Sequence, residues 1–346
     1  MKNQLKQVCG IDMSSQKFDV CFKEQSELGG ITIKGSKSFK NNLTGFEQYL
    51  LWAGKRKKAT GLIHIVEATG VYHENLCYFL YEKSENITVQ LAQKAKYFIK
   101  SLNIKTKTDK VDAAALAEMG LSRTLELWKP ISKNFKDLRD LSRTLVRIKN
   151  QIVITSSQIH ALESSHDPNK ESISMMKELV GMQRKLADDC QESIYKLIEQ
   201  DKELNEKVER IIAIKGINKI TVIKLLAETD AFRNVKSIRS LVSYAGLDVV
   251  QNDSGMQKGK SRISKKGNSY IRTALYMPAM SAIRYDPKSK ALYGRLNERL
   301  PKKKQSLIAV MRKLLIIIYT LWNSGEEYDP TYDWTKKRRD RSPVAG

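Results

Sequence analysis

Short apolar runs, some alternating and some continuous, open the chain; a third of the way along they give way to long runs with helical periodicity. Within residues 6–40, "KQVCGIDMS", "KFDVCFKE" and "GITIKGSKSF" read as three short strands separated by polar or Gly-containing turns. "LTGFEQYLLWAGK" then takes up the spacing of an amphipathic helix. A buried-looking strand "GLIHIVEATG", a helix "YHENLCYFLYEK", a strand "ITVQLAQ" and a helix "AKYFIKSLN" follow, and another helix begins near Asp109.

From 132 to 212 the apolar positions stretch out. Leu138, Leu141, Leu145, Ile148, Ile152, Ile159 and Leu162 alternate by threes and fours, with Thr155 in the gap, and "SSHDPN" at 164–169 breaks the run. A second run places Ile194, Leu197, Leu204, Val208 and Ile211 at heptad spacing, with Asp201 interrupting. Two such helices joined by a turn make either an antiparallel hairpin within one chain or a dimerising coiled coil. Residues 211–247 read as short helices around "KGIN", which is either a helix-hairpin-helix turn suited to a phosphate or an ordinary helical corner. The strand-like "LDVVQNDSGMQKGKSRISKKGN" precedes helices over roughly 269–284 and 304–323, and the tail "DWTKKRRDRSPVAG" reads as disordered.

Read as elements, the first 125 residues run βββαβαβα, with antiparallel strands first and crossovers later. That order is the one of the RNase H-like α/β fold, although periodicity alone also fits an unrelated α/β domain. The expected division is an α/β domain over 1–125, a helical coiled-coil segment over 126–210, a mainly α domain over 211–330 and a basic tail over 331–346.

Charge narrows the function. The 346 residues carry 61 Lys+Arg against 38 Asp+Glu, a formal net charge of +23, which favours a polyanionic partner because each neutralised phosphate releases counterions. The excess is uneven: residues 251–346 hold 21 basic and 8 acidic side chains, whereas 126–250 hold 21 and 18. That asymmetry points to a specific contact surface. Four His and four Cys form no CxxC or HxxxH pair, which argues against a zinc site and suits buried thiols in a reducing cytosol. "MKNQLKQVCGID" lacks a signal-length apolar run and "LLIIIYTLW" at 314–322 is too short to span a bilayer, so a soluble protein of the cytoplasm, with no membrane partner, is expected.

Against this basic background, four acids stand out. Asp12 and Glu67 each end an apolar strand, and Asp109 and Asp112 sit three apart in "KTKTDKVDAAALAEMG", their Cβ atoms ~5–6 Å apart on one helix face. In an RNase H-like arrangement all four converge on one edge of the sheet. Converging carboxylates with no His or Cys among them suit Mg²⁺ or Mn²⁺, and a pair of such ions supports phosphodiester displacement. Lys105, Lys107 and Lys110 would then lie along a nucleic-acid backbone. Taken singly, each acid also reads as a turn, cap or solvent residue. A second candidate is Ser254, in an Asp-Ser-Gly turn followed by Lys258, Lys260, Arg262, Lys265, Lys266 and Arg272. These cations could stabilise a phosphate under attack by the hydroxyl, or bind phosphate at a plain turn. With no His in the segment, a Ser-His-Asp hydrolase is disfavoured.

With these residues in view, the chain resembles the IS110 family of bacterial insertion-sequence transposases, also called DEDD transposases or bridge recombinases. "GIDMSSQKFDVCF", "EATGVYHENL" and "KTDKVDAAALAE" are similar to its RuvC-like DEDD domain. "LVSYAGLDVVQNDSGMQKGKSRISKKGNSYIRTALY" is similar to its second transposase domain, with Ser254 at the catalytic serine. The resemblance implies that Asp12, Glu67, Asp109 and Asp112 bind divalent metal and that Ser254 forms a phosphoserine link to DNA. It also implies a composite site shared between subunits of a dimer or tetramer, assembled through the central helices. A structured non-coding RNA would pair with the DNA of element ends and target, leaving shape and backbone to the protein. Where the family's hairpin turn has Gly-Ile-Gly, this chain has Asn218 in place of the second glycine; Asn tolerates positive φ, so the turn is expected to survive with its phosphate contact in doubt. Two other readings remain: a structure-selective nuclease of the Holliday-junction-resolvase type, and a non-catalytic nucleic-acid scaffold.

Overall fold

The structure, a computed structural model, describes residues 5–58, 61–233, 235–251 and 262–329. It divides into two units, Met1–Pro130 and Ile131–Gly346.

In the first unit, β1 (Lys6–Met13), β2 (Lys17–Gln25) and β3 (Ile31–Lys40) form an antiparallel meander. After α1 (Leu43–Gly54), β4 (Ile63–Ala68) returns parallel to β1; after α2 (Glu74–Glu82), β5 (Asn86–Leu91) lies parallel to β4. The strand order β3-β2-β1-β4-β5 puts β1 at the centre, the RNase H-like arrangement expected from the element order. One face of the sheet buries Phe18, Phe22, Tyr49 and Leu80, with α1 and α2 above them. The other face takes α3 (Ala92–Ser101) and α4 (Asp109–Ser122), packed on Val8 and Ile65.

The fit of α4 on β1 is unusually close, and glycine makes it possible. A Cβ on Gly10 would lie 2.1 Å from the Ala113 carbonyl oxygen, and one on Gly120 would lie 2.7 Å from a Val8 methyl. The alanine-rich sequence of α4 is therefore a packing surface, since small side chains let helix and strand backbones approach. Gly10 lies opposite Ala113 and Val8 opposite Gly120, so the helix runs antiparallel to β1. Its N-terminus is carried to the C-terminal end of that strand.

The second unit is mainly helical. Helices α5 (Lys133–Glu163) and α6 (Lys170–Glu199) pack as an antiparallel hairpin, turning at 164–169 as their pattern indicates. Phe135, Leu138, Ile194 and Ile198 join the core of α7 (Lys202–Ile212), α8 (Lys219–Thr229), α9 (Ile238–Tyr244), α10 (Ser269–Tyr285), α11 (Pro287–Arg299) and α12 (Lys303–Ser324). Asp201 interrupts the second run as the N-cap of α7, accepting from the Leu204 amide at 3.0 Å, so that run belongs to two helices. Asn218 does not require positive φ. It caps α8 with φ −109°, accepting from the Thr221 amide, while Gly216 carries the positive φ of the turn. The apolar run 314–322 is part of α12, a 22-residue helix that by length and composition could cross a membrane; half of its most apolar window is buried in this core. Sequence periodicity passed over α11, though Asp286 followed by Pro287 is a strong helix start: Asp286 accepts from the Ser289 amide and Pro287 sits at the first helical position.

Candidate nucleic-acid processing site

Asp12 is the penultimate residue of central β1. Parallel pairing sets Ile11 against Val66, which brings Glu67 beside Asp12 at the C-terminal ends of two adjacent strands. Across the antiparallel ladder, Asp12 pairs with Asp19. From above come Asp109 and Asp112, in the first turn of α4, whose N-cap Thr108 accepts from the Val111 amide. Both acids occupy a helix N-terminus, where the backbone dipole favours negative charge.

Electrostatics link all of them. The half-buried Asp12 carboxyl is pushed up to about 7, first by burial and then by the charges of Asp112, Asp109, Glu67 and Asp19. Glu67 accepts from the Thr69 hydroxyl at 3.1 Å. Asp19, which sequence reasoning missed, is buried, accepts from the Ser38 hydroxyl and is bound by the Lys17 ammonium at 2.9 Å. The same ammonium reaches Asp109 at 3.1 Å, so Lys17 answers the two outer acids. A period-two pattern was the available signal for Asp19, because it points one strand residue to the same neighbourhood as Asp12.

The donor chemistry fits a divalent cation: carboxylate oxygens from four separate positions, with the central one raised first by burial and then by its neighbours. The arrangement is open, since no group of three His, Cys, Asp or Glu side chains among the described residues is gathered to metal-binding distance. Lys105, Lys107 and Lys110 are exposed around the start of α4.

The second candidate lies in the other unit. Ser254, Lys258 and Lys260 fall outside the described residues, but both flanks of their segment are described. Strands β6 (Val249–Val250) and β7 (Arg262–Ile263) pair antiparallel, Val249 with Ile263 and Val250 with Arg262. Below that ribbon, the Ser264 amide donates to the Asp248 carbonyl at 2.9 Å, and the Asn268 amide to the Tyr244 carbonyl at 2.7 Å. A Cβ on Gly267 would lie 2.4 Å from the Tyr244 oxygen, so only glycine allows this approach. Arg262, Lys265 and Lys266 are exposed, whereas Arg272 donates from one guanidinium nitrogen to the carbonyls of Ala245, Gly267 and Asn268. Arg272 thereby braces the turn from behind.

Beneath the turn is a buried polar knot. Glu228 of α8 accepts from Arg143 of α5 through two bonds of 2.8 Å and from the Asn268 side-chain amide at 2.6 Å. Asn268 also caps α10, accepting from the amides of Tyr270 and Ile271, and the Tyr244 hydroxyl donates to the Glu228 carbonyl at 3.0 Å. An isolated Glu in an apolar helix was the only sequence signal for this knot.

Comparison with known proteins matches two stretches of the chain. A model described as a transposase family matches residues 9–164, and one described as the IS116/IS110/IS902 transposase family matches 208–294. The pilin gene-inverting proteins of Moraxella bovis and Moraxella lacunata are each 32% identical to this chain over 332 residues, covering 92% of it and 97% of their own length. A transposase for insertion sequence element IS1111A from Coxiella burnetii is 28% identical over 36% of this chain and 35% of its own. Among solved structures, RuvC of Thermus thermophilus is 12% identical, covers 36% of this chain and all of its own, and superposes with a TM-score of 0.28.

Proposed function

The chain belongs to the IS116/IS110/IS902 family of transposases, and from that premise we propose that it recombines DNA with four metal-holding carboxylates and a serine nucleophile. The observation that carries this reading is the convergence on Asp12, whose carboxyl is raised to about 7 by burial and by the acids around it. Asp12, Glu67, Asp109 and Asp112 would hold Mg²⁺ or Mn²⁺. When bound, the metal supplies positive charge that offsets the mutual repulsion of the acids and steadies charge developing on phosphodiester oxygens. Lys105, Lys107 and Lys110 draw the strand backbone to that edge.

Ser254 attacks in a transesterification. Its Oγ forms a bond to phosphorus, the strand's own P–O bond breaks, and the departing oxygen leaves as a hydroxyl while the serine gives up its proton. A hydroxyl of a second strand then displaces the serine, restoring Oγ–H, so the number of phosphodiester bonds is unchanged. Lys258, Lys260, Arg262, Lys265 and Lys266 neutralise the phosphate in transit, and Arg272 ties together Ala245, Gly267 and Asn268 beside them in the chain. The substrates are the DNA of an element's ends and its target. A structured RNA selects them by base pairing, and a dimer or tetramer brings the serine of one copy to the carboxylates of another.

The test is a denaturing gel for a protease-sensitive protein–DNA adduct. Wild type forms it; Ser254→Ala does not, while still binding DNA and RNA, and EDTA abolishes strand transfer. An adduct formed by Ser254→Ala removes the serine from the mechanism. Cleavage by wild type without any adduct makes water the nucleophile and the protein a resolvase-type nuclease.

A further inference from the structure

Segment 284–304 carries eight cations against two acids, and it includes none of the basic residues discussed above. All eight are exposed. One of the two acids, Asp286, is already engaged as the N-cap of α11, at 2.9 Å from the Ser289 amide. Elsewhere on the same unit some cations are answered by carboxylates: Lys177 by Glu163 at 2.8 Å, Lys196 by Glu192 at 2.7 Å, and the half-buried Lys219 by Glu209 at 2.9 Å. Among the described residues no such ion pair involves Arg295, Arg299, Lys302, Lys303 or Lys304. Arg295 and Arg299 stand four apart on α11, where like charges weaken a helix unless an anion comes between them.

Two further observations bear on the kind of anion. Gly294 is exposed in the interior of α11, and a Cβ there would meet nothing within 4 Å. Glycine weakens a helix and no packing within the chain requires it here, so the position keeps the surface beside Arg295 flat. Ala291, one turn earlier, is also small and exposed. Moreover, no large apolar side chain is exposed between Pro287 and Lys304 among the described residues, so the face lacks the anchor a protein partner would seat. A flat positive surface on which Arg295, Arg299 and Lys302–Lys304 have no ion pair among the described residues matches a chain of phosphates.

We infer that the outer face of α11, continued by Lys302–Lys304, is a second binding surface for the phosphate backbone of a nucleic acid. It rests on the reading that the protein works on nucleic acid, and it adds a contact outside both the carboxylate edge and the serine segment. The backbone it grips is that of duplex DNA, the class of molecule the family's recombination acts on; folded RNA, which presents the same phosphate chemistry, is the alternative that the test separates.

The experiment is a salt titration of binding with the full chain, using a DNA duplex and an RNA hairpin of equal charge, read by fluorescence anisotropy. Replacing Arg295, Arg299 and Lys303 together by Gln lowers the slope of log K against log salt by roughly 2–3, close to one for each phosphate that the variant no longer neutralises. Thermal unfolding of this variant matches wild type, because all three side chains are exposed. Replacing Lys177 and Lys196, which already have carboxylate partners, leaves the slope as it was. Gly294→Glu, which puts a negative charge on the face, weakens binding on the order of tenfold, comparable to cancelling about one of the cations. A slope reduced with the duplex supports this assignment, whereas one reduced with the hairpin alone overturns it in favour of RNA. A steep wild-type slope that the triple variant does not change overturns this surface and leaves the proposed function standing. A wild-type chain with no salt-dependent binding to either probe overturns both.

Discussion

Asp12, at the end of β1, and Glu228, on α8, are both withdrawn from solvent, yet they meet opposite surroundings. Glu228, with its side chain 2% exposed, receives two bonds from Arg143 and one from Asn268, and Arg143 in turn lies over the Tyr270 ring, 4.7 Å from its centre. Every charge there has a partner within the chain. The charges that act most on Asp12 are those of other acids, and the Lys17 ammonium is directed to Asp19 and Asp109. A buried carboxylate that is fully answered holds a structure together, whereas one left facing like charges is stabilised by something that arrives from outside. Under the proposed function, the contrast separates the part of this molecule that builds from the part that reacts.

The largest effect should come from removing the unanswered charge. Asp12→Asn is expected to reduce strand transfer by on the order of 100-fold or more, the scale seen when electrostatic stabilisation of a transition state is lost. Its thermal stability should equal or exceed that of wild type, because the fold disfavours the ionised form. The pH dependence has a definite sign. The folded carboxyl titrates near 7, above its ordinary value of 3.8, so the folded state holds the proton more tightly. Wild-type stability therefore falls as pH rises from about 4 to about 7 and levels off above, while Asp12→Asn lacks this component. Added Mg²⁺ should raise the wild-type melting temperature more at pH 8 than at pH 5. A variant melting well below wild type at pH 8 would make Asp12 a structural residue and erase the contrast.

Next in size is the answered charge. Glu228→Gln leaves the Arg143 guanidinium without its carboxylate and should destabilise the second unit by about 3 kcal/mol, the lower end for breaking a buried pair because Arg143 is partly exposed. Denaturant unfolding measures it, and replacing Arg143 by Met in the same chain should recover part of the loss. Mn²⁺ binding, followed by calorimetry, should be unchanged. A Glu228→Gln chain as stable as wild type would show that burial with partners contributes nothing here.

The two regions also differ in how far the sequence reveals them. The strands of the first unit alternate or run apolar, each is bounded by turn residues, and Asp12 and Glu67 mark strand ends, so the order of elements and the candidate acids can be read directly. Asp19 escaped because its role depends on register: only pairing of β1 with β2 sets it opposite Asp12. The knot of the second unit shows in the sequence only as an isolated Glu, since Arg143, Glu228 and Asn268 come from two helices and the cap of a third, far apart in the chain, and no periodicity relates them. Asp201 and Asn218 share a role that the sequence pattern leaves unassigned. A heptad count ignores caps, and a glycine motif suggests a need for positive φ, whereas both side chains simply accept a backbone amide at a helix start.

The smallest effect concerns Asn218. Its side-chain oxygen accepts from the Thr221 amide at 2.9 Å and from the Thr221 hydroxyl at 2.6 Å, so the cap is answered within the chain, as Glu228 is on a larger scale. Because its backbone is extended rather than left-handed, glycine there relieves no strain and removes only the side-chain bond. Asn218→Gly is accordingly expected to cost a few tenths of a kcal/mol, the usual difference between a good N-cap and glycine. If the turn is purely architectural, the same variant binds DNA with an unaltered salt slope. A steeper slope would mean that glycine frees helix-start amides for a phosphate, and would move this turn from the building side of the contrast to the reacting side.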